Sequence, residues 1–150
     1  MTYQIIYSSE SSTPMQADDL EYLLAHARRH NAEKGITGAL VYADGVFLQI
    51  LEGDSTSVKA LMGKILQDVR HETVTVFREG EIAAAVFSDW DMAYVSATPA
   101  QVAQWAGLSG AVEIPEILTD IRHDPQRAAR VAQSILAYLS PGNGHQGRGA

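Results

Sequence analysis

The sequence predicts an α+β fold, in which a ferredoxin-like sheet carries helices on both of its faces. Strand and helix patterns alternate over the first 95 residues in the order β-α-β-β-α-β-β, which is typical of a split β-α-β arrangement. The two helices between the strands are amphipathic and should pack on one face of the sheet. Helical patterns also follow the last strand, and we expect them to cover the other face.

The first strand and the first helix each direct a polar side chain towards the predicted core. Residues 3–8 alternate as a strand, which places Tyr7 on the face of the odd-numbered residues. A helix is predicted over residues 17–31, and its apolar stripe continues to Asn31. Gly35 is the expected stop of this helix. We therefore expect the Asn31 amide to face the core rather than water.

The next two strands form a predicted hairpin that contains an interrupted apolar run. Residues 38–42 and 46–53 flank Asp44-Gly45, a strong signal for a tight turn. The second strand is almost entirely apolar, as in strands buried on both faces, except for Gln49. A buried amide without partners costs about 1–3 kcal/mol. Gln49 must therefore form hydrogen bonds to the protein, to water or to a ligand. Taken alone, the simplest interpretation is a core glutamine that is hydrogen-bonded to its neighbours in the protein.

The second half of the sheet and the C-terminal region are predicted from caps and apolar patterns. Trp90 and Met92 alternate onto one face of the last predicted strand. The predicted elements are a helix from the caps at 54–57 to about residue 69, a strand over 73–77, a turn over 79–81, a last strand over 87–95, and helices opened by Thr98-Pro99, Pro115 and Asp124-Pro125.

These elements divide the chain into a domain, an extension and a tail. Residues 1–97 form the predicted domain, 98–139 a helical extension, and 140–150 a polar, glycine-rich tail expected to be disordered. The apolar stripes of the extension need burial on the open sheet face or on a partner chain. We therefore expect a homo-oligomer, at least a dimer.

The composition argues against several classes of function. The 150 residues include no cysteine, which excludes a disulfide, a thiolate metal site and a cysteine nucleophile. A net charge of -7 argues against nucleic-acid binding, which needs a basic surface. No apolar run reaches the roughly 18 residues of a membrane span, and the first residues lack the basic region of a signal peptide. We expect a cytoplasmic protein that contacts neither nucleic acid nor membrane.

Three polar side chains are predicted to converge on one apolar slot between the sheet and its helices. Tyr7, Asn31 and Gln49 each have an ordinary structural explanation when taken singly, as a core aromatic, a helix-ending residue and a satisfied amide. Together they would satisfy a flat ligand with donors and acceptors along its edge. Trp90 and Met92 are placed to close the slot, although they too fit ordinary packing.

Other polar motifs are weaker. His26 and His30 stand one helical turn apart, but no third metal ligand is placed by the sequence, so no metal is expected. Residues 142–147 match a G-x-G-x-x-G pattern without the strand and helix that a dinucleotide site needs. Glu33 and Glu52 form no recognisable catalytic pair.

Four blocks of the sequence, in order and at matching spacing, resemble the BLUF domain, a flavin-binding blue-light sensor. They are residues 5–9, 31–38, 47–53 and 90–92. The resemblance covers about the first 95 residues, and the C-terminal helices resemble the extension of short, stand-alone members. It implies noncovalent FAD held between the two helices that flank the sheet, and a photoreceptor rather than an enzyme.

The resemblance also implies roles for the three converging residues. Tyr7 matches the tyrosine that gives an electron and a proton to the excited flavin. Gln49 matches the glutamine that bridges this tyrosine and the N5/C4=O edge of the flavin. Asn31 matches the asparagine that holds the pyrimidine end of the ring.

Further residues are implied at the edges of the site. Lys64 stands where many members carry an arginine near the flavin C2=O, and a lysine offers a point charge in place of a planar fork. Asp68 falls near the same helix end, and His30 is a looser candidate beside Asn31. Trp90 and Met92 match residues linked to signalling, which implies a downstream signalling protein as partner.

Two rival functions stay open from the sequence. One is a ferredoxin-like regulatory module for another small ligand. The other is a small flavin oxidoreductase, which would need a nicotinamide site that no motif supplies.

Overall fold

The computed structural model describes residues 2–11, 16–67, 71–108 and 113–139. Asp68, the predicted helix end at residue 69 and the predicted tail over 140–150 lie outside these ranges. The elements are β1 (Thr2–Ser11), α1 (Ala17–Lys34), β2 (Thr37–Ala43), β3 (Val46–Gly53), α2 (Ser55–Gln67), β4 (His71–Ile82), β5 (Ala93–Ser96), α3 (Pro99–Trp105), α4 (Ile114–His123) and α5 (Pro125–Tyr138).

The strands form one mixed sheet in the order β4-β1-β3-β2-β5. The first four strands are antiparallel neighbours, and β5 joins the edge of β2 in parallel. This arrangement confirms the ferredoxin-like prediction and places β1 and β3 at the centre. Tyr7 of β1 lies directly opposite Gln49 of β3 in the register.

The two faces of the sheet carry separate hydrophobic cores. Alternation along β1 sends Ile5 and Tyr7 to one side and Ile6 to the other. The α1/α2 core contains Ile5, Tyr7, Leu24, Ile36, Leu40, Phe47, Leu51, Val58, Met62 and Met92. The C-terminal core contains, among others, Ile6, Ile50, Phe87, Trp105, Ile117, Ile121, Val131 and Ile135.

The C-terminal core confirms that the last helices cover the second sheet face. Side chains from α3, α4 and α5 pack there against Ile6 and Ile50 of the central strands. The apolar stripes that motivated a partner chain are therefore buried within this chain. Homo-oligomer formation stays a prediction, but the need to bury these apolar stripes no longer supports it.

Helix and turn signals from the sequence are confirmed at their predicted places. Gly35 ends α1 in the left-handed conformation, with φ 69°. Asp44 and Gly45 both have positive φ, at 50° and 80°, as the tight hairpin turn requires. The Thr98 hydroxyl accepts a hydrogen bond from the Gln101 amide and caps α3, and the Asp124 carboxylate caps α5.

The predicted turn at residues 79–81 is wrong. These residues continue β4, and Gly80 lies opposite Gln4 of β1. β1 pairs with β4 at both of its ends, with register shifts at Ile6/Tyr7 and Ser8/Glu10, and this tertiary pairing overrides the local glycine signal.

The predicted last strand over 87–95 is also wrong, because β5 begins only at Ala93. The main-chain amides of Val86 and Phe87 donate to the carboxylate of Glu52, at 2.9 and 2.8 Å, instead of to a strand. The Trp90 amide then donates to the Phe87 carbonyl at 3.0 Å, which closes a turn. Residues 83–92 are therefore a connection outside the sheet.

Trp90 and Met92 consequently do not share a strand face. Trp90 is half-buried against the C-terminal core, whereas Met92 is fully buried in the α1/α2 core. Neither side chain follows the alternation of a strand, since both precede β5.

Candidate functional site

A cavity of about 200 Å³ lies between α1, α2 and the central strands. It receives four of the residues that the sequence singled out as binding candidates: His30, Asn31, Gln49 and Lys64. Its remaining walls are mainly aliphatic. The full lining is Leu23, His26, Ala27, His30, Asn31, Leu40, Gln49, Leu61, Lys64 and Ile65.

Tyr7 lies directly behind Gln49 and is fully buried. Its hydroxyl donates a hydrogen bond to Gln49 Oε1. Burial raises the pKa of the Tyr7 phenol far above its ordinary range. The phenol therefore keeps its proton and remains a donor at any physiological pH.

Gln49 links Tyr7 to Met92 through the two ends of its amide. Its oxygen accepts from Tyr7, and its Nε2 donates to the Met92 sulfur at 3.7 Å. The side chain is 9% exposed and lines the cavity. An amide is suited to this place because it carries donors and an acceptor on one planar group.

Asn31 serves both the helix end and the cavity. Its carbonyl accepts from the amides of Gly35 and Ile36, which completes the end of α1. Its side-chain Nδ2 donates to the Asp91 carbonyl at 2.8 Å. The residue is 1% exposed and still lines the cavity, so the prediction that it faces the core is confirmed.

The donor set of the cavity fits a flavin. Gln49 and Asn31 offer amide groups to the polar edge of a flat ring, and the aliphatic walls suit its faces. His30 lines the cavity, and its Nδ1 is buried without a hydrogen-bond partner among the described residues, whereas most buried polar atoms are paired. Lys64 is an exposed cation on α2 at the cavity wall.

The remaining predicted site residues are not all brought to the cavity. Met92 reaches it indirectly through Gln49, whereas Trp90 packs on the other core. Asp68 lies outside the described residues. His26 and His30 both line the cavity, but no group of three metal-ligating side chains occurs in the described part of the chain.

Sequence reasoning missed Arg28 and Glu52. Arg28 Nε donates to the Met92 carbonyl at 3.0 Å. Glu52 is fully buried and also accepts from Gln4 Nε2 at 2.9 Å. Glu52 left a usable signal, because a carboxylate at the end of a buried strand needs donors. No sequence signal pointed to Arg28, because an arginine on the flank of an amphipathic helix is ordinarily a solvent-exposed residue.

Within the described residues, none of the helices combines the length and apolarity that crossing a membrane would require.

Comparison with known proteins identifies relatives that share this chain's fold. A family described as "BLUF: Sensors of blue-light using FAD" matches residues 2–93. The beta subunit of photoactivated adenylate cyclase from Euglena gracilis is 30% identical over 141 residues, which covers 93% of this chain. This chain covers only 16% of the length of that relative, and most of the cyclase subunit has no counterpart in the matched region.

Solved structures agree with the family match. BlrB, a BLUF protein in its dark state, has a TM-score of 0.74 and 26% identity, with 92% of this chain and 97% of BlrB covered. The ground state of BlsA has a TM-score of 0.65 and 31% identity, with 73% and 75% covered. Because the family match spans more than half of the sequence, this chain belongs to the BLUF family of blue-light sensors that use FAD.

Proposed function

We propose that this chain senses blue light by switching the hydrogen bonds of Gln49 at the floor of a noncovalent FAD site. The observation that supports this most directly is the position of the Gln49 amide, between the Tyr7 hydroxyl and the Met92 sulfur and at the cavity wall. A change in that one amide alters both of these contacts.

Binding is assigned to the residues that line the cavity. Asn31 and Gln49 hold the polar edge of the ring, and His30 beside Asn31 supplies a further polar contact. Lys64 contacts a carbonyl or phosphate oxygen from α2. Asp68 is proposed near the same helix end on the basis of the sequence alone.

Tyr7 is the proposed electron and proton donor. When bound, FAD supplies blue-light absorption and an electron-accepting excited state. Tyr7 would give its electron to that acceptor while its proton moves along the hydrogen bond to Gln49 Oε1. This coupling is favourable because a buried phenol resists carrying charge. Both return to Tyr7 afterwards, so no lasting redox change remains.

The change that persists after Tyr7 is restored lies in the hydrogen bonds of the Gln49 amide. Its amide returns with a changed hydrogen-bond orientation or tautomer, which alters the contact to Met92. Exchanging one hydrogen bond is worth roughly 0.5–1.5 kcal/mol net. Such a small free energy acts only on a segment whose two arrangements are close in energy.

The signal leaves through residues 90–92 towards β5 and the C-terminal helices. Trp90 packs against the core that α3, α4 and α5 share with the sheet. We propose that a signalling protein reads the change there. Homo-oligomer formation is a separate proposal, made from the sequence alone.

An absorption experiment tests the function. Purified protein loaded with FAD is expected to show a reversible red shift under blue light. A spectrum that light does not change, or a protein that does not bind FAD, would contradict the proposal. Bleaching by a nicotinamide cofactor in the dark would instead indicate an oxidoreductase.

A further inference from the structure

Three consecutive carbonyls in the segment before β5 are each held by a different donor. The Gly38 amide donates to the Trp90 carbonyl at 3.0 Å. Asn31 Nδ2 donates to the Asp91 carbonyl, and Arg28 Nε to the Met92 carbonyl, at 2.8 and 3.0 Å. Two of these donors are side chains of α1 and the third is a main-chain amide of β2, so the helix supplies most of the hydrogen bonds to these carbonyls.

Arg28 differs from the other α1 residues that serve the site. It is half-buried on the flank of the helix and does not line the cavity. Burial lowers the pKa of its guanidinium, and the charge of Asp91 opposes that shift. The guanidinium remains a cation at neutral pH. Its hydrogen bond to the Met92 carbonyl is therefore charge-assisted, and such bonds are stronger than neutral ones.

Met92 is consequently held at two points of very different strength. Gln49 Nε2 reaches its sulfur at 3.7 Å, and a thioether is a weak acceptor. Arg28 holds its carbonyl. A change at Gln49 removes the weak contact, so that Met92 is afterwards held at one point instead of two and its main chain opens more readily than in the dark.

We propose that Arg28 is a positioning residue that holds the Met92 main chain on α1 and sets how much of the Gln49 switch reaches β5. This inference rests on the proposed function of Gln49. Without Arg28 the segment opens in the dark as well, so that light adds little further opening. With Arg28 in place, the dark arrangement is closed and the light response is large.

Hydrogen exchange of FAD-loaded protein, measured on the peptide covering residues 93–97 in darkness and after blue light, tests this role. In the dark, Arg28→Gln is expected to exchange about tenfold faster than the parent, since a charge-assisted bond is lost. Its difference between light and dark should shrink, and Arg28→Lys should lie between it and the parent. Arg29→Gln, an exposed neighbour on the same helix, is the matched control and should behave like the parent.

Two results would overturn the role of Arg28. One is an exchange profile of Arg28→Gln equal to that of the parent in both states. The other is an equal acceleration in β1, read on residues 4–8, because general loosening of the fold would then explain the effect. A parent protein without a light-induced red shift would refute the proposed function instead, and the dark comparison would still decide whether Arg28 holds the segment.

Discussion

At the scale of single residues, the hydrogen bond from the Tyr7 hydroxyl to Gln49 can be removed by a single substitution. Tyr7→Phe deletes the donor to Gln49 Oε1 without touching the cavity wall, because Tyr7 does not line it. We expect FAD to remain bound and the light-induced red shift to disappear, as read by absorption before and after illumination. Tyr94→Phe, at a half-buried tyrosine of β5, should cycle like the parent. A persisting shift in Tyr7→Phe would remove Tyr7 from the mechanism.

The same phenol predicts how stability depends on pH. Burial raises the pKa of Tyr7 above its ordinary value of 10.0, so the folded protein keeps a proton that the unfolded chain releases in alkaline solution. The contribution of Tyr7 is therefore complete below pH 10 and is lost as the pH rises above it.

Urea unfolding between pH 8 and 11 measures this dependence. The free energy of unfolding should fall more steeply with pH in the parent than in Tyr7→Phe, which has no phenol at this position. Equal slopes would contradict the assignment.

At the scale of elements, Glu52 fixes the connection between β4 and β5. Its carboxylate accepts from Gln4 Nε2 and from the amides of Val86 and Phe87. Glu52→Gln replaces one accepting oxygen by a donor and leaves a buried N–H unpaired, which should cost about 1–3 kcal/mol of unfolding free energy. Glu33→Gln, exposed on α1, is the control and should leave the unfolding free energy unchanged. Equal urea midpoints for both variants would refute this role.

Elements whose boundaries depend on local signals were predictable from the sequence. The bounds of β3 match the predicted 46–53, because an apolar run between a turn and a glycine is a local pattern. The bounds of β4 and β5 were not predictable, since they depend on the edge of β1 and on the carboxylate of Glu52. Such partners are distant in the sequence and leave no periodicity.

The candidate site likewise contains residues that the sequence could predict and residues that it could not. Strand alternation and a helical stripe bring Tyr7, Gln49 and Asn31 together, and both patterns are visible in the sequence. The contact between Arg28 and the Met92 carbonyl was not predictable, because a main-chain acceptor has no side-chain signature.

At the scale of the whole molecule, the extension and the domain share the C-terminal core and should unfold together. Ile135 of α5 is fully buried in that core, so Ile135→Ala should cost about 2–5 kcal/mol. Leu66→Ala, at a side chain 60% exposed, should cost little.

Thermal unfolding followed by circular dichroism and by flavin absorption should show coincident transitions, with both signals lowered together in Ile135→Ala. Separate transitions would mean that residues 1–97 and the extension are independent units.

The placement of Trp90 and Met92 in different cores has a mechanical consequence. The two residues are close in sequence, yet each anchors the segment in a different layer of the molecule. The segment thus connects the two hydrophobic cores, and a displacement of Asp91, which lies between the two residues, would act on both. A protein that binds α3–α5 with an affinity that depends on light must, by the same free energy, shift the balance between the dark and light arrangements of the segment. Partner binding therefore changes the equilibrium of the photoreceptor by the same factor by which light changes the affinity for the partner.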